Sequence, residues 1–113
     1  MITLEKKNHV YLLKMNAGEN RWNTSFVREF SDALDEVELD DGPGALVTSS
    51  TDEKFFSNGL DLDWVKNPEK YPQSGDREVF GEEFMYLMGR MITLPVPTIC
   101  AVSYTHLRAH ETS

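Results

Sequence analysis

The stretch Phe55-Phe56-Ser57-Asn58-Gly59-Leu60-Asp61-Leu62-Asp63-Trp64 sets bulky aromatics directly beside the most flexible backbone in the chain. Two readings are open. One is a plain Ser-Asn-Gly turn closed by a capping aspartate. The other is a backbone N–H aimed at a ligand. Gly59 lacks a Cβ, so backbone and ligand can approach closely there. Asn58 tolerates backbone angles that most residues avoid. Asp61 can accept nearby backbone N–H groups and so hold the loop in one shape. A peptide N–H at Leu60 does its work whatever side chain that residue carries.

Outward from this loop the chain alternates strands and helices. Ile2 to Lys7 and Val10 to Met15 read as short strands joined by Lys7-Asn8-His9, a hairpin with Asn8 as turn residue. Asn16 to Asn20 reads as a loop. A helix is predicted from Asn23 or Thr24, either of which can act as N-cap. Phe26, Phe30, Ala33, Leu34 and Val37 then recur at helical spacing, and Arg28, Glu29, Asp32, Asp35 and Glu36 take the opposite side. Asp40-Asp41-Gly42-Pro43-Gly44 stops that helix. Ala45 to Ser50 is a buried-strand candidate, and Asn67 to Asp76 a polar, mobile loop. A second long helix is predicted over Arg77 to Ile92, with a core stripe of Phe80, Phe84, Leu87, Met88 and Met91. Leu94-Pro95-Val96-Pro97 ends it, and Thr98 to Val102 reads as a last strand. The order strand, strand, helix, strand, loop, helix, strand predicts an α/β fold with partly parallel pairing.

Composition narrows the function. The 113 residues are the size of one small domain, with 40% hydrophobic and 27% charged residues. A net charge of −8 argues against general binding to nucleic acid or an anionic membrane. It leaves room for an anionic ligand held by local backbone amides. The single cysteine, Cys100, reads as a small core hydrophobe. The start, Met1 to Val10, lacks the apolar core of a secretory signal, and no stretch approaches a membrane span. These features predict an intracellular protein.

The character changes after Val102. Residues 103–113 carry no apolar period and hold His106 and His110, four apart. Two histidines without an acidic or cysteine partner are weak evidence for a metal site, and none is expected. Val-Ser-Tyr-Thr-His-Leu-Arg-Ala-His-Glu-Thr resembles one reading frame of a transposon-type sequencing adapter translated into protein. On that resemblance residues 1–102 form the folded part, and residues 103–113 are a tail outside it, with the junction uncertain by about a residue.

Three motifs in register carry a second resemblance. Glu19-Asn20-Arg21-Trp22-Asn23 precedes the first helix. Lys54-Phe55-Phe56-Ser57-Asn58-Gly59-Leu60-Asp61-Leu62 fits a pattern of phenylalanine, two small or polar residues, glycine, any residue, aspartate and an aliphatic residue. Leu94-Pro95-Val96-Pro97-Thr98-Ile99-Cys100-Ala101-Val102 fits a Leu-Pro-x-Pro lead into a strand. Together they resemble the N-terminal part of the enoyl-CoA hydratase/isomerase (crotonase) superfamily, and Phe-Phe-Ser-Asn-Gly looks most like peroxisomal-type enoyl-CoA isomerases.

The resemblance implies a spiral of repeated strand-strand-helix units, of which this chain holds the first part, and a full-length homotrimer or hexamer. It implies an acyl-CoA thioester as substrate, with coenzyme A belonging to the substrate and no separate cofactor. It makes the N–H of Leu60, after Gly59, the first of two oxyanion donors. Preorganised donors in a dry pocket each lower a barrier by about 3–4 kcal/mol. Arg21 becomes a candidate for the coenzyme A phosphates or adenine, or else a solvated loop arginine. Trp22 covers the adenine or caps the core. Phe56, Ser57, Asn58, Gly59, Leu60 and Asp61 form the substrate loop, and Trp64 and Tyr71 are weaker candidates for the acyl pocket. Glu82 and Glu83 read as surface charges, because the family's acids and second donor fall after Val102. The chain alone is therefore expected to be inactive and prone to aggregate, its second long helix and last strand lacking partners. Hydratase, acyl-CoA hydrolase and non-catalytic binding protein stay open as alternatives. So do peroxisome and mitochondrion as addresses, or cytoplasm for a bacterial protein.

Overall fold

A computed structural model describes residues 1–102; the histidine pair and the tail lie outside the described residues. The elements are β1 (Ile2–Lys7), β2 (Val10–Met15), α1 (Thr24–Leu39), β3 (Ala45–Ser50), α2 (Leu62–Lys66), α3 (Phe80–Thr93) and β4 (Thr98–Cys100), with 3₁₀ turns at Pro68–Lys70, Pro72–Ser74 and Arg77–Val79. They form one four-stranded sheet in the order β1-β2-β3-β4. β1 and β2 pair antiparallel through a turn in which Asn8 has φ 58°, a left-handed angle that asparagine accepts at little cost. β3 pairs parallel with β2, and β4 parallel with β3. The α/β expectation holds, with the first three strands where the sequence places them.

α1 exists because its apolar residues fall on one face and its start is capped. Asn23 accepts the Phe26 N–H at 2.8 Å, an N-cap worth about 1 kcal/mol. Phe26, Val27, Phe30, Leu34 and Val37 are buried against Leu13 and Met15 of β2 and Leu46 of β3. Burying a side chain of that size stabilises the fold by about 1.5–3 kcal/mol. At the far end Asp40 leaves the helix and ties its exit to the hairpin. Its carboxylate accepts from Lys6, from the Tyr11 hydroxyl at 2.7 Å and from the Gly42 N–H at 2.8 Å. Those donors, Lys6 foremost, hold its carboxyl down at about 2.

Four features depart from the sequence-based expectation. Leu62–Lys66 forms a short helix, started by Asp61, whose carboxylate accepts the Trp64 N–H at 3.2 Å. The 67–76 segment is a series of tight turns begun by Pro68 and Pro72. It is pinned to the start of α1: the Thr24 hydroxyl donates to Asp76 O at 2.7 Å, the Ser25 hydroxyl to Gln73 O, and the Trp64 indole N–H to Gly75 O at 3.2 Å. Gly75 is required there, since its φ is +89° and a Cβ would stand 2.8 Å from Thr24 Cβ. Third, α3 begins at Phe80 behind a 3₁₀ turn, and not at Arg77. Fourth, β4 stops at Cys100, and Cys100 is exposed. Its strand is one of the two edges of the sheet among the described residues, and all three of its residues lie open to solvent. Among the described residues no helix is long and apolar enough to cross a membrane.

Candidate active-site loop

Two loops close on each other at the C-terminal ends of β2 and β3. The first runs from Ala17 to Asn23, the second from Phe55 to Asp61. They form a short parallel ladder. The Asn58 N–H donates to Glu19 O at 2.8 Å, the Trp22 N–H to Gly59 O at 2.8 Å, and the Asp61 N–H to Trp22 O at 3.0 Å. Trp22 and Leu60 are thereby bridged. In such a bridge the flanking peptide groups of Gly59 and Asp61 turn toward Trp22, so the alternation of extended backbone turns Leu60's own N–H the other way. Among the described residues that N–H makes no hydrogen bond.

Gly59 supplies the angle that makes this possible, with φ +77°. Its chain neighbours apart, no atom of the described residues stands within 4 Å of where its Cβ would be, so that side of the turn is open. Around the turn, the Ser57 hydroxyl donates to Asn20 O at 2.7 Å and accepts the Gly59 N–H at 3.3 Å. The Asn58 side chain donates to Glu19 at 3.1 Å. Glu19 also receives the Arg21 guanidinium at 2.6 Å, and Arg21, then Asn58, holds its carboxyl below the usual carboxylate range. The loop thus presents an amide unpaired among the described residues, a fixed shape and one internally paired arginine.

The candidate residues divide on inspection. Phe56, Ser57, Asn58, Gly59, Leu60 and Asp61 are brought together with Arg21 and Trp22 in one two-loop unit. The Trp22 ring belongs to the core, with centroid distances of 4.9 Å to Phe26 and 5.4 Å to Phe84; its backbone, not its indole, builds the loop. Arg21 is exposed and paired with Glu19. Trp64 does not line an open pocket: it is fully buried, edge-on to Phe80 at 5.6 Å. The Tyr71 hydroxyl is spent on Asp63. Glu83 pairs with Arg28 at 3.1 Å on the surface, and Glu82 is exposed. Among the described residues no three His, Cys, Asp or Glu side chains are grouped to hold a metal ion. Sequence reasoning missed Asn20, fully buried with φ 53°. The available signal was an asparagine two residues after a glycine in a loop, a place where a left-handed backbone is common.

A family model for enoyl-CoA hydratase/isomerase matches residues 5–105. The chain belongs to that family. Among curated relatives, the Arabidopsis thaliana protein "Enoyl-CoA delta isomerase 1, peroxisomal" is 33% identical over 107 residues, covering 91% of this chain and 42% of that protein. "Enoyl-CoA delta isomerase 2, peroxisomal" of the same plant is 29% identical over 105 residues, covering 91% and 44%. The chain therefore spans less than half the length of these relatives. A solved enoyl-CoA hydratase from Shewanella pealeana shares the fold with a TM-score of 0.75 at 20% identity, covering 90% of this chain and 38% of that one. An enoyl-CoA hydratase/isomerase from Xanthobacter autotrophicus matches with a TM-score of 0.71 at 24% identity, covering 89% and 38%.

Proposed function

We propose that this chain is the N-terminal part of an enoyl-CoA isomerase, which moves the double bond of an unsaturated acyl-CoA within fatty-acid β-oxidation. The observation that carries this reading is the Leu60 N–H, turned outward by its bridge to Trp22 and without an acceptor among the described residues, beside an open glycine turn. The names of the similar Arabidopsis proteins favour isomerase over hydratase or hydrolase.

In this reading the thioester oxygen of a 3-enoyl-CoA accepts the Leu60 N–H. A base supplied by polypeptide beyond Val102 takes a proton from C2. The electron pair delocalises over the thioester as a dienolate, and its negative charge gathers on the oxygen facing Leu60. Return of a proton at C4 leaves the 2-enoyl-CoA. Leu60's contribution is a donor already in place as charge develops, with no reorganisation to make at that moment. Phe56 and Leu60 offer apolar surface to the acyl chain. Arg21 reaches a coenzyme A phosphate by exchanging its Glu19 partner for it. The full-length enzyme is a homotrimer or hexamer, and a peroxisomal address accords with the relatives' names.

With one donor and no base facing it among the described residues, the 113-residue chain is inactive. Residues 103–113 are a sequence artefact in place of the second donor's turn, and a genomic read continuing past Val102 into these same codons would contradict that. The functional test compares the chain with the gene product extended to its relatives' length, both supplied with a 3-enoyl-CoA. The extended protein is expected to form the 2-enoyl-CoA and the 113-residue chain nothing above background. Turnover by the short chain, or hydration without isomerisation by the long one, would overturn the proposal.

A further inference from the structure

We infer that Asn20 is the positioning residue that holds the Leu60 N–H in place, an inference that rests on reading Leu60 as the oxyanion donor. Its side chain is fully buried, and each of its polar atoms is bonded. Oδ1 accepts the Ala17 N–H at 2.9 Å; Nδ2 donates to Ser50 Oγ at 2.7 Å and to Phe56 O at 2.9 Å. Three separate pieces of chain therefore meet on one amide: the 17–23 loop, the end of β3 and the start of the 55–61 loop.

The proton count fixes which way that amide points. Ser50 has one hydroxyl proton, and it goes to Phe55 O at 2.9 Å, while its oxygen also accepts the Asp52 N–H at 3.0 Å. Ser50 must then accept from Asn20, so the NH2 end faces Ser50 and Phe56 and the oxygen faces Ala17. Asn20 and Ser50 together tie the carbonyls of Phe56 and Phe55, the two peptides that launch the loop. The Asn20 backbone carbonyl takes the next residue's hydroxyl, Ser57 Oγ, at 2.7 Å. From there the ladder of Asn58, Gly59 and Asp61 onto Glu19 and Trp22 follows in order. Asn20 also needs φ 53° to present Glu19 and Trp22 to that ladder. Glycine, asparagine and aspartate tolerate such an angle; of these only asparagine carries an NH2 group.

The test is made on the full 113-residue chain by ¹⁵N NMR, without ligand. Asn20→Gly keeps the backbone angle and removes the amide; Asn20→Asp keeps the shape and replaces the donor by an acceptor. The Leu60 N–H order parameter is expected near the rigid value of about 0.85 in the wild type and below about 0.6 in both variants. Exchange of the Trp22 and Asp61 N–H groups should quicken at least ~10-fold, while β2 and β3 amides keep wild-type protection. Unchanged order at Leu60 in both variants overturns the inference. So does a proportional loss of protection at Leu13 and Leu46, which would make Asn20 a general stabiliser. Failure of both variants to fold counts the same way, since Asn20 would then hold up the whole domain rather than the loop. Because every readout is ligand-free, a loop that loosens as expected in a protein that never isomerises would sink the functional proposal and leave the role of Asn20 standing.

Discussion

The two ends of this molecule obey the same packing rules with opposite results. Around α1, apolar residues find partners: Leu13, Phe26, Leu34 and Leu46 have no exposed surface. Around α3 and β4 they do so only on one side. The stripe from Phe80 to Met91 packs on the core, yet Met85 is 70%, Tyr86 68% and Ile92 84% exposed on the same helix. On β4, Ile99 is 53% exposed, although parallel strands are ordinarily covered on both faces. The difference teaches where the chain is closed and where it is not. The candidate oxyanion loop sits on the closed side, held by β2, β3 and the start of α1. The open side is the C-terminal one, in a chain that spans 42–44% of its curated relatives.

The contrast can be broken by measurement. Phe26→Ala should lower the unfolding free energy by about 3–5 kcal/mol, while Ile92→Ala changes it by no more than about 0.5 kcal/mol. Urea denaturation of both variants checks this, and comparable losses would erase the distinction between the two ends. Gly75→Ala tests how tightly the 67–76 turns are tied to the closed side. It strains a φ of +89° and drives a Cβ into Thr24, so a loss of about 1–3 kcal/mol is expected. No loss would mean that the segment detaches readily from α1.

The smallest effect concerns Asp40, at the exit of α1. Its folded-state pKa of about 2 lies below the ordinary 3.8. The stability it contributes is therefore present above about pH 4 and is lost as pH falls toward 2. Asp40→Asn should flatten that acid limb in the urea midpoint against pH. An unchanged limb would show that Lys6 and Tyr11 do not hold the helix exit to the hairpin.

Much of the closed side was legible in the sequence because its signals are local. Asn8 between two short strand-like runs marks the hairpin, and Asn23 before Phe26 marks the start of α1. The capping role of Asp61 was equally local, though the helix it starts, five residues long, is too short to show a period. Other features depend on distant parts of the chain. Cys100 and Ile99 have core composition, but composition states what a strand would bury and not whether a partner is present. Arg21 could be named as a loop arginine, whereas its pairing with Glu19 is a matter of side-chain geometry. Asn20 draws its importance from Phe56, 36 positions away, and nothing near it in sequence signals that bond.

On the proposed reading the Leu60 amide is an oxyanion donor. Replacing that one amide by an ester, in the gene product extended to its relatives' length, removes the N–H and leaves every side chain in place. Isomerisation of a 3-enoyl-CoA should then lose about 10²–10³ in kcat with little change in KM. A kcat within about twofold of the unmodified protein would contradict the claim.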